Sequence, residues 1–503
     1  MTAVAVVAVL ARAQLAVHHA GLDGLQGYDD GVYYAGASAL VSGRMPYSDF
    51  TFLHPPGILL ALSPFAALGA VTSDPLGLAV ARAAFWLLGG VNAALVARVA
   101  SRNGRVAAVV GGMGYALWFP AVYAERATLL EPLGNTALLV ALLLLGRTAR
   151  PPSARDQLLA GAALGLSASV KLWMAVPLAV LVGWQLLGPG PRAAVRVTGG
   201  AVLAGVAVLL PFAGASRAMF EMVVLDQLGR VSELSLAHRI TGMAGLRPWA
   251  TVLGDTATVG VLAVGACLAA AAVITAWRAG GPARVYVSLL AANGAVLLAI
   301  APHFDHYPAF LAVPLALVVS VAVGRLERAA RRRRTWAPVV AVGAFVVGLA
   351  ALYAPAVAME VGQPFPGRQL ATAVTERPCV VTDVPTALAA MDVLSRDLRR
   401  GCPAVVDPAG PVYGRFAVSG PDGRPVPRVA NARWQQYLTT FLPSGSAVLV
   451  LEPEMTGISG TTMSRLSRRP LLAETDGFAL RQGTLPAAAP HRRGFPSRSA
   501  VRR

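Results

Sequence analysis

Apolar runs divided by short basic clusters fill the chain from its first residues to about Tyr353. A hydrocarbon core about 30 Å thick takes roughly 20 helical residues to cross. On that ruler the runs predict about eleven spans. They fall near 2–18, 77–98, 106–123, 127–145, 157–170, 172–188, 194–212, 252–277, 285–302, 308–324 and 337–354. The two helices flanking Lys171 are short and need not each cross fully. After Tyr353 the pattern changes to polar residues and turns. Cys379–Asp383, Ala404–Asp407 and Ala447–Glu452 predict strands, and 385–400 predicts the helix between the first two. Residues 356–485 thus read as a small α/β domain, and 486–503 as a basic, disordered tail able to touch anionic lipid.

Composition agrees with that pattern. Fifty-five per cent of the 503 residues are hydrophobic and 14 per cent charged, where a soluble domain carries about a quarter charged. This excludes a water-soluble enzyme and a disordered chain. The 43 basic residues outnumber 25 acidic ones, for a net charge of +18, but they sit between apolar runs, the mark of membrane topology and not of nucleic-acid binding. Arg98/Arg102/Arg105, Arg147/Arg150/Arg155, Arg192/Arg196, Arg278/Arg284 and Arg325 with Arg328 and Arg331–Arg334 are expected on the cytoplasmic side. Alternation then puts 19–76, 124–126, the turn at Lys171, 213–251 and 303–307 on the outer face, and 356–485 with them. The expectation is a polytopic α-helical protein of the cytoplasmic membrane with a C-terminal extracytoplasmic α/β domain. The first run starts at Met1 without a basic flank and contains Arg12, unlike a signal peptide. A start further upstream fits it equally. Cys379 and Cys402 flank the first α/β unit and could pair in an oxidising compartment, worth about 3 kcal/mol in the chain-entropy picture, whereas Cys267 reads as packing within a span.

The outer segments hold the candidate chemistry. Tyr28, Asp29, Asp30 and Gly31 open a predicted helix over 30–42, read as lying on the membrane surface with Val32, Ala35, Ala39 and Leu40 toward lipid. The acidic pair has two readings: an N-terminal cap favoured by the helix dipole, or a base at the membrane–water boundary taking a proton from an acceptor hydroxyl. Gly43, Pro46-Tyr47 and then His54-Pro55-Pro56 follow.

This order resembles the first outer loop of GT-C glycosyltransferases, a superfamily that includes protein O-mannosyltransferases, the lipid A aminoarabinose transferase and actinobacterial mannosyl- and arabinosyltransferases. Glu131-Pro132 resembles the acidic-Pro pair of that superfamily's second outer loop. The resemblance covers roughly residues 20–325. It implies a GT-C-like core over 1–355 and a sugar donor linked to polyprenyl phosphate. By position, Asp29 would be the catalytic acid-loop residue and Asp30 its neighbour, with Tyr33, His54 and Tyr307 lining the cavity. Where the aminoarabinose transferase has a Lys before its loop-ending Pro, this chain has His54, which argues against a phosphate contact there.

Lys171 reads either as a snorkelling lysine at a hairpin tip or as a cation for the donor phosphate, matching a lysine in the superfamily's corresponding hairpin. Arg230 is the other phosphate candidate, since a planar guanidinium holds phosphate bidentately, and a solvated surface arginine is its plain alternative. His303, Asp305 and His306 are spaced poorly for one metal; His306 is expected to help Lys171 and Arg230 bind the donor phosphate, and with Tyr307 it reads as lining the cavity or as part of an interfacial belt. Glu131 caps a helix or joins Asp29 or Asp30 around a divalent cation, which some superfamily members bind and others do not need. The expected activity is transfer of a hexosyl or pentosyl unit from a polyprenyl-phosphate donor to a glycan, lipid or protein acceptor in the cell envelope, with inversion and no required cofactor. The rivals are a lipid-linked-sugar flippase, which would need charges deep in several spans, and a non-catalytic envelope assembly protein.

Overall fold

A computed structural model describes residues 1–146, 151–230, 234–332 and 337–486. Arg147, Arg150, Arg333, Arg334 and the tail from 487 onward lie outside the described residues. The chain opens with helices α1 (Thr2–His19), α2 (Tyr28–Val41), α3 (Gly57–Val71), α4 (Asp74–Ala100), α5 (Arg105–Leu117), α6 (Phe119–Glu125), α7 (Glu131–Leu145), α8 (Ala154–Ala168), α9 (Ala175–Leu187) and α10 (Pro191–Leu209). Later helices cover Arg247–Ala279, Pro282–Ala299, Ala312–Arg332 and Ala337–Ala358. Their starts are written locally. The Ser73 hydroxyl caps α4 by accepting from the Leu76 amide, and Ser153 and Asp156 form a capping box on α8.

Among the described residues five helical stretches are long and apolar enough to cross a bilayer: 74–103, 191–228, 256–279, 282–299 and 307–330. A sixth is the α5–α6 pair, bent by 57°. Expected spans at 2–18, 127–145, 172–188 and 337–354 correspond to helices whose apolar stretches are shorter than that. Helix α8, opening on Arg155, Asp156 and Gln157, is too short and too polar at its start to qualify. The expected loop 19–76 hides a further apolar helix, α3, whose internal Pro64 and flanking prolines had masked it.

Two charges inside apolar helices organise the core. The Arg12 guanidinium, fully buried on α1, meets Glu125 Oε2 at 2.5 Å. Glu125 Oε1 accepts from Tyr115 Oη at 2.7 Å and Asn92 Nδ2 at 2.8 Å. Gly89 leaves room for this cluster, since a Cβ there would lie 2.5 Å from Arg12 Nε. One buried ion pair therefore ties α1, α4, α5 and α6 together. Arg82 of α4 does the same for α2, with Nη2 at 2.5 Å from Asp30 Oδ2 and further bonds to the carbonyls of Leu22 and Gly24.

The C-terminal residues form a four-stranded sheet in the order β1 (Val380–Thr382), β2 (Ala447–Leu449), β4 (Phe478–Gln482), β3 (Leu471–Thr475). β1 and β2 are parallel, and β4 runs antiparallel to both β2 and β3. Cys379 and Cys402 are joined by a disulfide. The predicted helix 385–400 is broken into Thr386–Ala390 and Leu394–Arg399, with Asp392 between them at φ 56°. Ala404–Asp407 is not a strand. Val405 and Val406 are buried in the core instead, and Val406 meets α2 at Gly36, where a Cβ would approach its Cγ1 to 3.3 Å.

That contact corrects the reading of α2. It is not a lipid-facing surface helix: Val32, Ala35 and Ala39 are buried in one apolar core shared with Val381, Leu388, Val406 and Trp434. Gly31 and Gly36 let the C-terminal chain approach the helix backbone, and a Cβ on Gly31 would collide with Thr386. Replacing Arg12 by Met strands a buried Glu125 carboxylate and is expected to cost about 3–5 kcal/mol. Unfolding in detergent measures it, with Arg12→Met/Glu125→Leu recovering most of the loss. A single variant as stable as wild type would contradict this account of the core.

Candidate active site

The first turn of α2 follows Gly27, whose φ of 132° turns the chain into the helix. Successive residues on a helix point about 100° apart, and here each goes to a different partner. Tyr28 Oη donates to Asp407 Oδ1 at 2.7 Å. Asp29 Oδ2 lies 3.5 Å from His306 Nε2 and keeps a quarter of its side chain exposed (24%). Asp30 is 1% exposed; besides Arg82 it accepts from the Thr128 amide at 2.9 Å and the Thr128 hydroxyl at 2.7 Å. Asp30 is thus consumed by packing, and Asp29 is the carboxylate left available.

Around Asp29 stand most of the other candidates. Lys171 Nζ, almost fully buried, is ion-paired with Glu131 and lies over the rings of Tyr307 at 3.8 Å and Trp173 at 4.2 Å. Arg230 is stacked on Tyr413 at 4.3 Å and lies 5.5 Å from Phe304. Its guanidinium donates to Gln227 Oε1 at 3.1 Å and to Tyr413 Oη at 3.4 Å. Tyr33 Oη lies 3.2 Å from His54 Nε2, with the rings edge-on, and the His54 carbonyl accepts from Tyr47 Oη at 2.7 Å. Phe304 stacks on His306 at 5.8 Å.

The electrostatics give these groups distinct states. Burial pushes the Asp29 carboxyl up to about 6, against the opposing pull of Lys171 and Arg230. Burial likewise drives His54 and His306 well below the ordinary imidazole range, reinforced by the Lys171 charge. Both rings are neutral near neutral pH, so His306 offers Asp29 a neutral neighbour. A carboxylate poised near 6 beside two cations and neutral rings suits proton abstraction next to a bound anion.

The metal alternatives find little geometry. Asp30 and Glu131 are each committed to a different cation. Asp305 pairs with Arg247 at 3.2 Å, away from His306. Among the described residues no cluster of three or more His, Cys, Asp or Glu could hold a metal ion. Sequence reasoning missed Asp407 and Tyr413 as site residues. The signal was present: Asp407 and Gly410 have the i, i+3 spacing of a tight turn, and the Gly410 amide does donate to Asp407 Oδ1 at 2.9 Å.

The family model of Glycosyltransferase family 87 matches residues 52–302, about half the chain. The chain is a membrane glycosyltransferase of the GT-C superfamily. The matched stretch holds His54, Glu131, Lys171 and Arg230, while Asp29 precedes it and His306 follows it. ArnT from Cupriavidus metallidurans, in a crystal structure bound to undecaprenyl phosphate, is 16% identical with a TM-score of 0.53, over 97% of this chain and 98% of that one. Archaeal oligosaccharyltransferase AglB from Archaeoglobus fulgidus, in complex with an inhibitory peptide and a dolichol-phosphate, is 13% identical with a TM-score of 0.56, over 90% of this chain and 69% of that one. At such identities the likeness concerns the fold. No curated protein sequence matches the chain.

Carbodiimide reacts with protonated, reachable carboxyls. In this glycosyltransferase Asp29 should label at pH 5 and lose labelling as pH rises through about 6, while Asp30 stays unmodified in the folded protein. Peptide mass spectrometry reads both, and labelling of Asp30 in preference to Asp29 would contradict the assignment.

Proposed function

We propose that this glycosyltransferase takes its sugar from a polyprenyl-phosphate donor at the outer face of the cytoplasmic membrane, with Asp29 as the base. The observation that carries this reading is the placement of Asp29, raised to about 6, between Arg230, Lys171 and a neutral His306. In the proposed step Asp29 takes the acceptor hydroxyl proton as its oxygen bonds to the anomeric carbon. The bond from that carbon to the phosphate oxygen breaks on the opposite side, inverting the centre. Arg230 makes no ion pair among the described residues, so its fork is available to the departing phosphate. An ammonium has three donors; Lys171 gives one to Glu131 and keeps the others for phosphate. Polyprenyl phosphate is a good leaving group and needs no acid. Tyr33, His54 and Tyr307 form the wall of the donor chamber.

About eleven crossings, with the short apolar helices completing the bundle and 356–485 outside, fit this chemistry. A mannosyl or arabinosyl donor and an envelope glycan, lipid or protein acceptor are the substrates to test. The flippase alternative is less favoured because Arg12, Arg82 and Lys171, the charges inside apolar runs, are each locked to a carboxylate.

Membranes containing the wild-type chain should transfer label from polyprenyl-phosphate mannose or arabinose to an envelope extract. Asp29→Asn should lose roughly 100- to 10,000-fold. Because the base must be ionised, kcat/KM should rise with pH through about 6 and level off above it. An unaffected Asp29→Asn enzyme would reject Asp29 as the base, and absence of transfer with both donors in the wild type would reject these donor sugars.

A further inference from the structure

The C-terminal part contributes a side chain to the candidate site. Asp407 Oδ1 accepts from Tyr28 Oη, and Tyr28 Oη in turn accepts from the Ala409 amide at 2.8 Å. The residue immediately before Asp29 is therefore pinned to the turn 407–410. Six residues on, Tyr413 stacks against Arg230. One short segment thus holds the neighbour of the candidate base at one end and the candidate phosphate cation at the other.

The geometry points to Asp407 as a positioning residue for Asp29, fixing the first turn of α2 through Tyr28 and setting a second negative charge beside the base. This rests on the assignment of Asp29 as base. Lys171 and Arg230 face Asp29 with positive charge, Glu131, Glu452 and Asp407 with negative charge, and His306 as a neutral ring. The phenol of Tyr33 stays protonated, raised by burial. Of the negative groups, Glu131 is neutralised by Lys171, whereas Asp407 is held by a phenol and backbone amides with no ion pair among the described residues, and Arg230 acts on it only at longer range. Burial raises the Asp407 carboxyl despite those hydrogen bonds, and Asp407 in turn raises Asp29. Two interacting carboxyls titrate as a pair, so the acid limb of the rate profile belongs to both.

The test is the pH profile of kcat/KM for sugar transfer by the full chain. Asp407→Asn and Asp407→Ser both remove the charge, and either one that folds is informative. The expected result is an acid limb displaced to lower pH, together with a fall in kcat from the loosened turn. Asp407→Glu keeps the charge and should keep the limb near its wild-type position. A limb that stays in place, or moves to higher pH, in the neutral variants overturns the inference even if kcat falls. Asp29→Asn run alongside separates the two claims: if it transfers normally, the assignment of the base fails, and if it is inactive while the Asp407 limb does not move, only the role of Asp407 fails.

Discussion

An ionised side chain taken out of water must meet an opposite charge or a set of hydrogen-bonding groups, and much of this molecule follows from that constraint. Uncompensated, a buried charge costs several kcal/mol. Arg12, Arg82 and Lys171, all within or between apolar runs, each end on a carboxylate: Glu125, Asp30 and Glu131. The first pair gathers the N-terminal helices. The second fixes the start of α2 against α4. The third holds the hairpin between α8 and α9 against α7 and places an ammonium among aromatic rings. With Asp30 spent on Arg82, the neighbouring Asp29 stays partly exposed without carrying the fold.

The C-terminal sheet is not an appendage to this arrangement. Its apolar residues share one core with α2 and α3, and its disulfide-bridged first unit packs where Gly31 permits close approach. Asp74, at the start of α4, extends the same junction by accepting from the Ser395 amide at 2.8 Å, while its own amide donates to Asp392 at 2.7 Å. Helix, loop and sheet therefore meet around the residues assigned to chemistry.

Much of this was legible in the sequence, with informative exceptions. The apolar runs and the strands at Cys379 and Ala447 follow from periodicity alone. The hairpin β3–β4 was passed over although Asp476-Gly477 between two strand-like runs is a strong turn signal, and both residues do take positive φ, 51° and 82°. Val405 and Val406 look like a strand locally, but their burial against α2 is a tertiary event invisible to a two-residue pattern. Similarly, Val32, Ala35 and Ala39 form an apolar stripe whether lipid or protein covers it. Nothing in the adjacent pair Asp29-Asp30 says which faces solvent. That division is set by Arg82, 52 positions beyond Asp30. Asp407 escaped notice because its partner, Tyr28, lies 379 residues distant.

The most direct test of this account compares Asp29→Asn with Asp30→Asn in one experiment, recording thermal unfolding in detergent beside sugar transfer in membranes. The account predicts that Asp29→Asn unfolds at the wild-type temperature but fails to transfer, whereas Asp30→Asn unfolds at a lower temperature because Arg82 loses its charged partner. A destabilised Asp29→Asn, or an Asp30→Asn enzyme that is fully stable yet inactive, would contradict the division of labour within that single helical turn.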